Sequence, residues 1–268
     1  MTARVLAPAK LTVSLRITGV RPDGFHELDA EMVTLDLVDE LEIDAGATEL
    51  TVVDAGGGAD ALPAPAENLV TRALAACGRT AAVRLTKRIP PGGGLGGGSA
   101  DAAAVLRWAG CTDASLAARL GSDVPFCLAG GRARVRGAGE LVTPLPFVAR
   151  DYLLLLPPFG MDTARVYRAW DEAHRARSGV GGAPDATTRN ELTAAALVVE
   201  PRLARWRDAL RELAGEEPTL AGSGSTWFVP GTPESGTAGL DILRLGNEAG
   251  RVVRARTVPA GWDGTEGA

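Results

Sequence analysis

From Leu11 onward, Leu11, Val13, Leu15 and Ile17 are apolar, while Thr12, Ser14 and Arg16 between them are polar. That period of two marks a strand with one buried face, predicted over residues 3–18. "VRPDGFHEL" interrupts the alternation with turn-forming residues, and "MVTLDLVDELEID" resumes it as a second strand. A short strand "ELTVVD" follows, then a Gly/Ala/Pro-rich surface loop over residues 55–66.

The period then changes. "AENLVTRALAACGR" has Leu69, Ala73 and Cys77 at helical spacing, with Gly78 near the stop. "AAVRLTKRI" returns to strand and runs into "PPGGGLGGGSADAAAVLRWAG". A helix is predicted there, with Ser99 as N-cap and Gly110 as its end. "DASLAARLG" predicts a second short helix, "DYLLLLPP" a buried strand, and "DTARVYRAWDEAHRAR" a helix capped by Asp162 or Thr163. Residues 177–188 read as an exposed loop. "PRLARWRDALREL" sets Leu203, Trp206, Leu210 and Leu213 on one stripe of a core-facing helix. "TLAGSGSTWFV" reads as a strand broken by a glycine turn, "RVVRARTV" as a last strand, and the tail as loose. No strict βαβα alternation is present, so the expectation is an α+β chain of two lobes, 1–147 and 148–268.

Composition narrows the function. The 268 residues are 46% hydrophobic and 23% charged, with a net charge of -5. That balance argues against a nucleic-acid surface but not against a phosphorylated ligand held by a few local groups. No apolar run reaches the ~18 residues of a membrane span, and no signal-like segment opens the chain. Cys77, Cys111 and Cys127 make no CxxC pair and read as thiols of a reducing, cytoplasmic setting, while two histidines cannot build a three-histidine metal site.

Six glycines around Leu95 are either a linker or a backbone in an unusual shape. A linker is not followed at once by a helix, as this stretch is. Strand, glycine turn and helix start together form an anion site, because backbone N–H groups converge and the helix end adds about half a positive charge. No Lys-Ser/Thr follows, so the loop is not a Walker A loop, and the charged, proline-ended strand before it counts against a dinucleotide fold.

"PPGGGLGGGSADAAAVL" resembles the P-x-G-x-G-L-G-x-x-[ST]-A loop of the GHMP kinases. Four further segments agree with that family in order: "APAKLTVSLRITGVRPDGFHEL", "GSDVPFCLAGG", "DTARVY" and "LAGSGSTWFV". The doubled triple glycine is the form of the branch acting on a cytidine diphosphate-linked methylerythritol, a precursor in isoprenoid synthesis. The resemblance implies the two-lobed GHMP fold with the active site between lobes, and ATP and Mg²⁺ as cofactors. Residues Pro91, Gly92, Gly93, Gly94, Leu95, Gly96, Gly97, Gly98, Ser99 and Ala100 would form the ATP phosphate loop. Asp123 would be the catalytic carboxylate and Lys10 its neighbour. Thr12, Phe25, His26, Thr163 and Tyr167 would bind the substrate, with Phe25 and Tyr167 stacking on the base. Gly222 to Ser225 would approach the glycine loop from the second lobe.

Thr12 stands where the family commonly has asparagine, Phe25 where it has tyrosine, and Gly97-Gly98 where many GHMP members place a metal-holding serine. The metal ligands are therefore unassigned, with Asp101 one possibility. Three alternatives stay open: a kinase of another small alcohol such as homoserine or mevalonate, a GHMP-fold binding protein without turnover, and, distantly, a dehydrogenase. The expected partner is a small molecule, with no nucleic acid and no membrane, and the expected assembly is a monomer or weak homodimer.

Overall fold

The computed structural model describes residues 2–56, 64, 66–177, 189–231 and 239–264. Most of the loop expected at 55–66, nearly all of that at 177–188 and the end of the tail lie outside the described residues.

The alternating start of the chain forms two long strands, β1 (Thr2–Val20) and β2 (His26–Asp44), paired antiparallel from Thr2↔Asp44 to Val20↔His26. The other edge of β2 is divided. Leu28–Val33 pairs with β5 (Arg132–Gly137), and Glu40–Asp44 pairs with β4 (Ala82–Lys87). β3 (Glu49–Asp54) lies parallel to β4, and β6 (Leu141–Pro144) closes the far edge beside β5. The second sheet runs β10 (Ile242–Leu245), β11 (Glu248–Arg256), β7 (Asp151–Leu156), β9 (Trp227–Pro230) and β8 (Thr219–Leu220), antiparallel throughout.

Helices α1 (Leu69–Ala76), α2 (Gly97–Trp108), α3 (Ala114–Leu120) and α4 (Val124–Ala129) gather on the first sheet. Six successive residues of α2, from Asp101 to Leu106, are buried, so its alanines are there for close packing. Helices α5 (Thr163–Arg177), α6 (Thr193–Val199) and α7 (Leu203–Ala214) cover the second sheet. Of the expected α7 stripe, Leu203, Trp206 and Leu210 are fully buried, and Leu213, in the last turn, is partly buried. A third core joins the two halves, where Leu11, Leu35, Ile89 and Leu95 meet Leu154 and Phe228.

One boundary differs from the expectation. Helix α2 begins at Gly97, and its cap is Gly96 at φ +67°, not Ser99. A left-handed cap is open to glycine without steric cost, so the helix starts inside the glycine run. Asp162, not Thr163, caps α5, through Arg165 N–H at 3.1 Å. The short elements α4, β5, β6, α6 and β10 were not anticipated.

Candidate active site

A cleft of about 800 Å³ opens between the glycine loop, the turn joining β1 to β2, and the start of α5. Pro91 to Gly94 and Gly96 to Ser99 line it. Gly97, Gly98 and Ser99 open α2, where no earlier turn supplies carbonyl partners for the N–H groups. Ala100 is the first to bond back, to the Gly96 carbonyl at 2.8 Å. The helix start thus offers unused donors to the cleft.

Close packing explains all of these glycines but Gly98. A Cβ on Gly94, which sits at φ +78°, would lie 2.0 Å from the Ala221 carbonyl oxygen. One on Gly96 would lie 2.7 Å from Lys10 Cγ. The loop carbonyls are tied to the other half of the chain: Gly92 accepts from Met161 N–H at 2.9 Å, and Gly93 from Thr226 N–H at 3.2 Å. Gly222 and Ser223 reach the same cleft, as expected for the third glycine segment. Leu95 and Ala100 do not line it. Both are buried, Leu95 in the shared core and Ala100 beneath the first sheet, so they shape the loop from behind.

Lys10 and Asp123 meet across the cleft floor. Lys10 Nζ is 3.2 Å from Asp123 Oδ2 and donates to Thr12 Oγ1 at 3.0 Å. Asp123 occupies the N-cap position of α4, yet its side chain makes no capping hydrogen bond. The carboxylate faces the ammonium instead, and that separates it from an ordinary helix-capping aspartate. Its side chain is partly open to the cleft while Lys10 is buried, so the pair presents a proton acceptor backed by a fixed positive charge.

At the other end, Phe25 projects at 57% exposure. His26 is mostly covered: Nε2 is 2.8 Å from Asp171 Oδ1, and its ring centroid is 4.6 Å from that of Tyr167. That spacing leaves no room for a base between His26 and Tyr167. The exposed ring of Phe25 and the cleft-lining part of Tyr167 are the aromatic surfaces a base could meet. Burial raises the Tyr167 pKa, with the Asp123 charge adding to it, so the phenol stays neutral. Thr163 and Ser223 share a hydroxyl hydrogen bond of 2.8 Å across the cleft.

Asn190 was missed. It is 2% exposed and donates to the carbonyls of Leu220 and Gly222 at 2.8 and 2.7 Å, holding the third glycine turn. It follows a run of Gly, Ala, Pro and Thr that reads as loop, so only its amide chemistry signalled a role.

The pattern of the GHMP kinases N terminal domain matches residues 68–131, which hold the glycine loop, α2 and Asp123. The 4-diphosphocytidyl-2-C-methyl-D-erythritol kinase of Paracoccus denitrificans is 37% identical, across 98% of this chain and 96% of its own. That of Pelotomaculum thermopropionicum is 40% identical over 85% and 88% of the two chains. A crystal structure of 4-(cytidine 5'-diphospho)-2C-methyl-D-erythritol kinase superimposes with a TM-score of 0.69 at 30% identity, covering 95% and 98%. The chain belongs to the 4-diphosphocytidyl-2-C-methyl-D-erythritol kinase family. Its α+β fold is that of the GHMP kinases.

Backbone N–H groups at the start of α2 suit phosphate oxygens in the loop of this kinase, while the Cβ positions of all its glycines but Gly98 are crowded by neighbouring protein atoms. For a metal the fit differs. Among the described residues no three His, Cys, Asp or Glu side chains gather as a ligand set. Of the two carboxylates that line the cleft, Asp123 faces Lys10 and Asp171 faces His26. Asp101 is not a free ligand either; it is buried against Lys87. No helix among the described residues is long and apolar enough to cross a membrane, and all three cysteines are free.

Proposed function

We propose that this kinase transfers the γ-phosphoryl group of ATP to the 2-hydroxyl of 4-diphosphocytidyl-2-C-methyl-D-erythritol. The observation that carries the reading is the placement of Lys10–Asp123 in one cleft with the donors of α2 and the aromatic faces of Phe25 and Tyr167. Phosphoryl transfer needs positioning and charge stabilisation more than covalent help. N–H groups of Gly97, Gly98 and Ser99 would hold phosphate oxygens. Asp123 would orient the attacking hydroxyl and accept its proton as the oxygen–phosphorus bond forms and ADP leaves. Lys10 would steady that carboxylate and offset negative charge on the transferring group. Phe25 and Tyr167 would sandwich the cytosine, and Thr163 and Thr12 would offer hydroxyls to the substrate.

Mg²⁺ would be carried by phosphate oxygens and water, with little direct ligation by protein, and when bound it neutralises phosphate charge. We further read residues 1–147 and 148–268 as the two lobes, supported by the sheet change between β6 and β7. Free thiols support a reducing, cytoplasmic setting.

The test is ADP release with Mg-ATP and each of three alcohols. Turnover confined to the cytidyl alcohol supports the reading. Turnover with homoserine or mevalonate instead would keep the kinase and overturn the base pocket.

A further inference from the structure

Beneath the phosphate loop lie three charges that the reaction leaves untouched. Lys87, the last residue of β4, is 1% exposed; Asp39 of β2 is fully buried; Asp101 of α2 is 2% exposed. Lys87 Nζ donates to Asp39 Oδ2 and, at 2.7 Å, to Asp101 Oδ2. The other oxygen of Asp39 accepts the backbone N–H groups of Arg88 and Ile89, at 2.5 and 2.9 Å. Those two residues lead straight into Pro90 and the glycines. From the second sheet, Arg251 donates to the Arg88 carbonyl at 2.9 Å.

The far end of the loop is held by the same ammonium. Asp101 lies one turn after Gly97, the first residue of α2. A Cβ on Gly97 would stand 3.2 Å from Lys87 Nζ and 3.0 Å from Ile89 Cγ2. The ammonium is thus packed directly behind the helix start, with two carboxylates on either side of it. Buried ion pairs at best break even against their desolvation, so a contribution to stability is a poor reason for this group. Its geometry is a better one: it ties the strand approaching the loop to the helix leaving it.

We propose that Lys87 is a positioning residue for the ATP phosphate loop. Bridging Asp39 and Asp101, it sets the separation between Arg88–Ile89 and Gly97, and so the aim of the N–H groups at Gly97, Gly98 and Ser99. This rests on the reading of the loop as the ATP cradle. It also accounts for glycine at position 97: the space behind that residue is taken by Lys87 and Ile89, which leaves none for a side chain turned inward.

The test measures ATP dissociation constants, KM for each substrate, kcat and Tm for wild type, Lys87→Met, Asp101→Asn and the double variant. Lys87→Met leaves two buried carboxylates without a counter-ion and risks misfolding; the double variant removes one of them, and the other, Asp39, keeps its backbone donors at Arg88 and Ile89. We expect Lys87→Met, where folded, and the double variant to weaken ATP binding by about tenfold or more, since small displacements of positioning groups are costly. KM for the cytidyl alcohol is expected to stay unchanged. Asp101→Asn, which can still accept from Lys87, is expected to bind ATP nearly as wild type does. A folded double variant with wild-type ATP affinity would overturn the proposal at any Tm; a lowered Tm beside it would mean that the triad serves the fold alone. Wild-type protein that binds no ATP would instead overturn the cradle reading on which the proposal stands.

Discussion

Lys10 Nζ lies 3.2 Å from Asp123 Oδ2, a contact made between the first strand and the start of α4. It places the proton acceptor of the proposed reaction beside a buried cation. Asp123→Asn keeps the shape and removes the basicity. Its kcat should fall about a hundred- to ten-thousandfold, the usual contribution of a general base. Steady-state kinetics paired with calorimetric ATP titration checks this, and ATP affinity should be unchanged.

Two glycines of the same loop should respond differently to alanine. At Gly94 the new Cβ would meet the Ala221 carbonyl at 2.0 Å, in a left-handed backbone. At Gly98 the nearest neighbour is Leu69 Cδ1 at 3.5 Å, an ordinary contact. Gly94→Ala should cost about 1–3 kcal/mol or more and lose ATP turnover. Gly98→Ala should keep a near-wild-type Tm, as thermal melts of the two would show.

Tyr167 tests the base pocket. Loss of one stacking face is typically worth about 1–3 kcal/mol, so Tyr167→Ala should raise KM for the cytidyl alcohol by roughly ten- to a hundredfold. KM for ATP should not follow. Because the phenol is held neutral, Tyr167→Phe should retain most affinity and leave the pH profile unaltered.

Burial pushes the Asp101 carboxyl up to about 7, with the Asp39 charge adding to the rise and Lys87 opposing it. The folded state therefore holds this proton more tightly than the unfolded chain does. Stability from this group is greatest below the unfolded value of 3.8 and is lost as pH rises towards about 7. Asp101→Asn removes that dependence, so its Tm relative to wild type should be higher at about pH 8 than at about pH 5. Differential scanning calorimetry at the two pH values decides it; an equal difference at both would refute the assignment.

Much of the first sheet was legible because apolar and polar residues alternate along parts of β1 and β2, although residues 9–12 and 32–35 are buried on both faces, and the stripe of α7 was legible from its helical period. The loop, Asp123 and Lys10 were legible through a resemblance of motifs, which no periodicity would have supplied. Lys87 was missed although its strand shows it: Val83, Leu85 and Lys87 share the buried face of β4, while Arg84 points out. Read alone, a lysine among arginines suggests a solvated strand end. The partners that make burial tolerable, Asp39 and Asp101, lie far away in sequence, and local reading cannot supply them. Ser99 was misplaced as a cap because a glycine in left-handed geometry can start a helix with no side-chain signal at all.

The long pairing of β1 with β2 has a consequence for how the chain can be divided. Leu15 is a buried member of the core otherwise built from residues after 150, and Ile17 and Leu28 pack against it. Leu11 and Leu35 likewise complete the core they share with β7 and β9. A polypeptide cut between β6 and β7 would yield two pieces, and the second would lack part of its own interior. The halves are separable on paper only; expressed apart, the later one should collapse without a defined structure, and mixing it with the earlier one during folding should restore order.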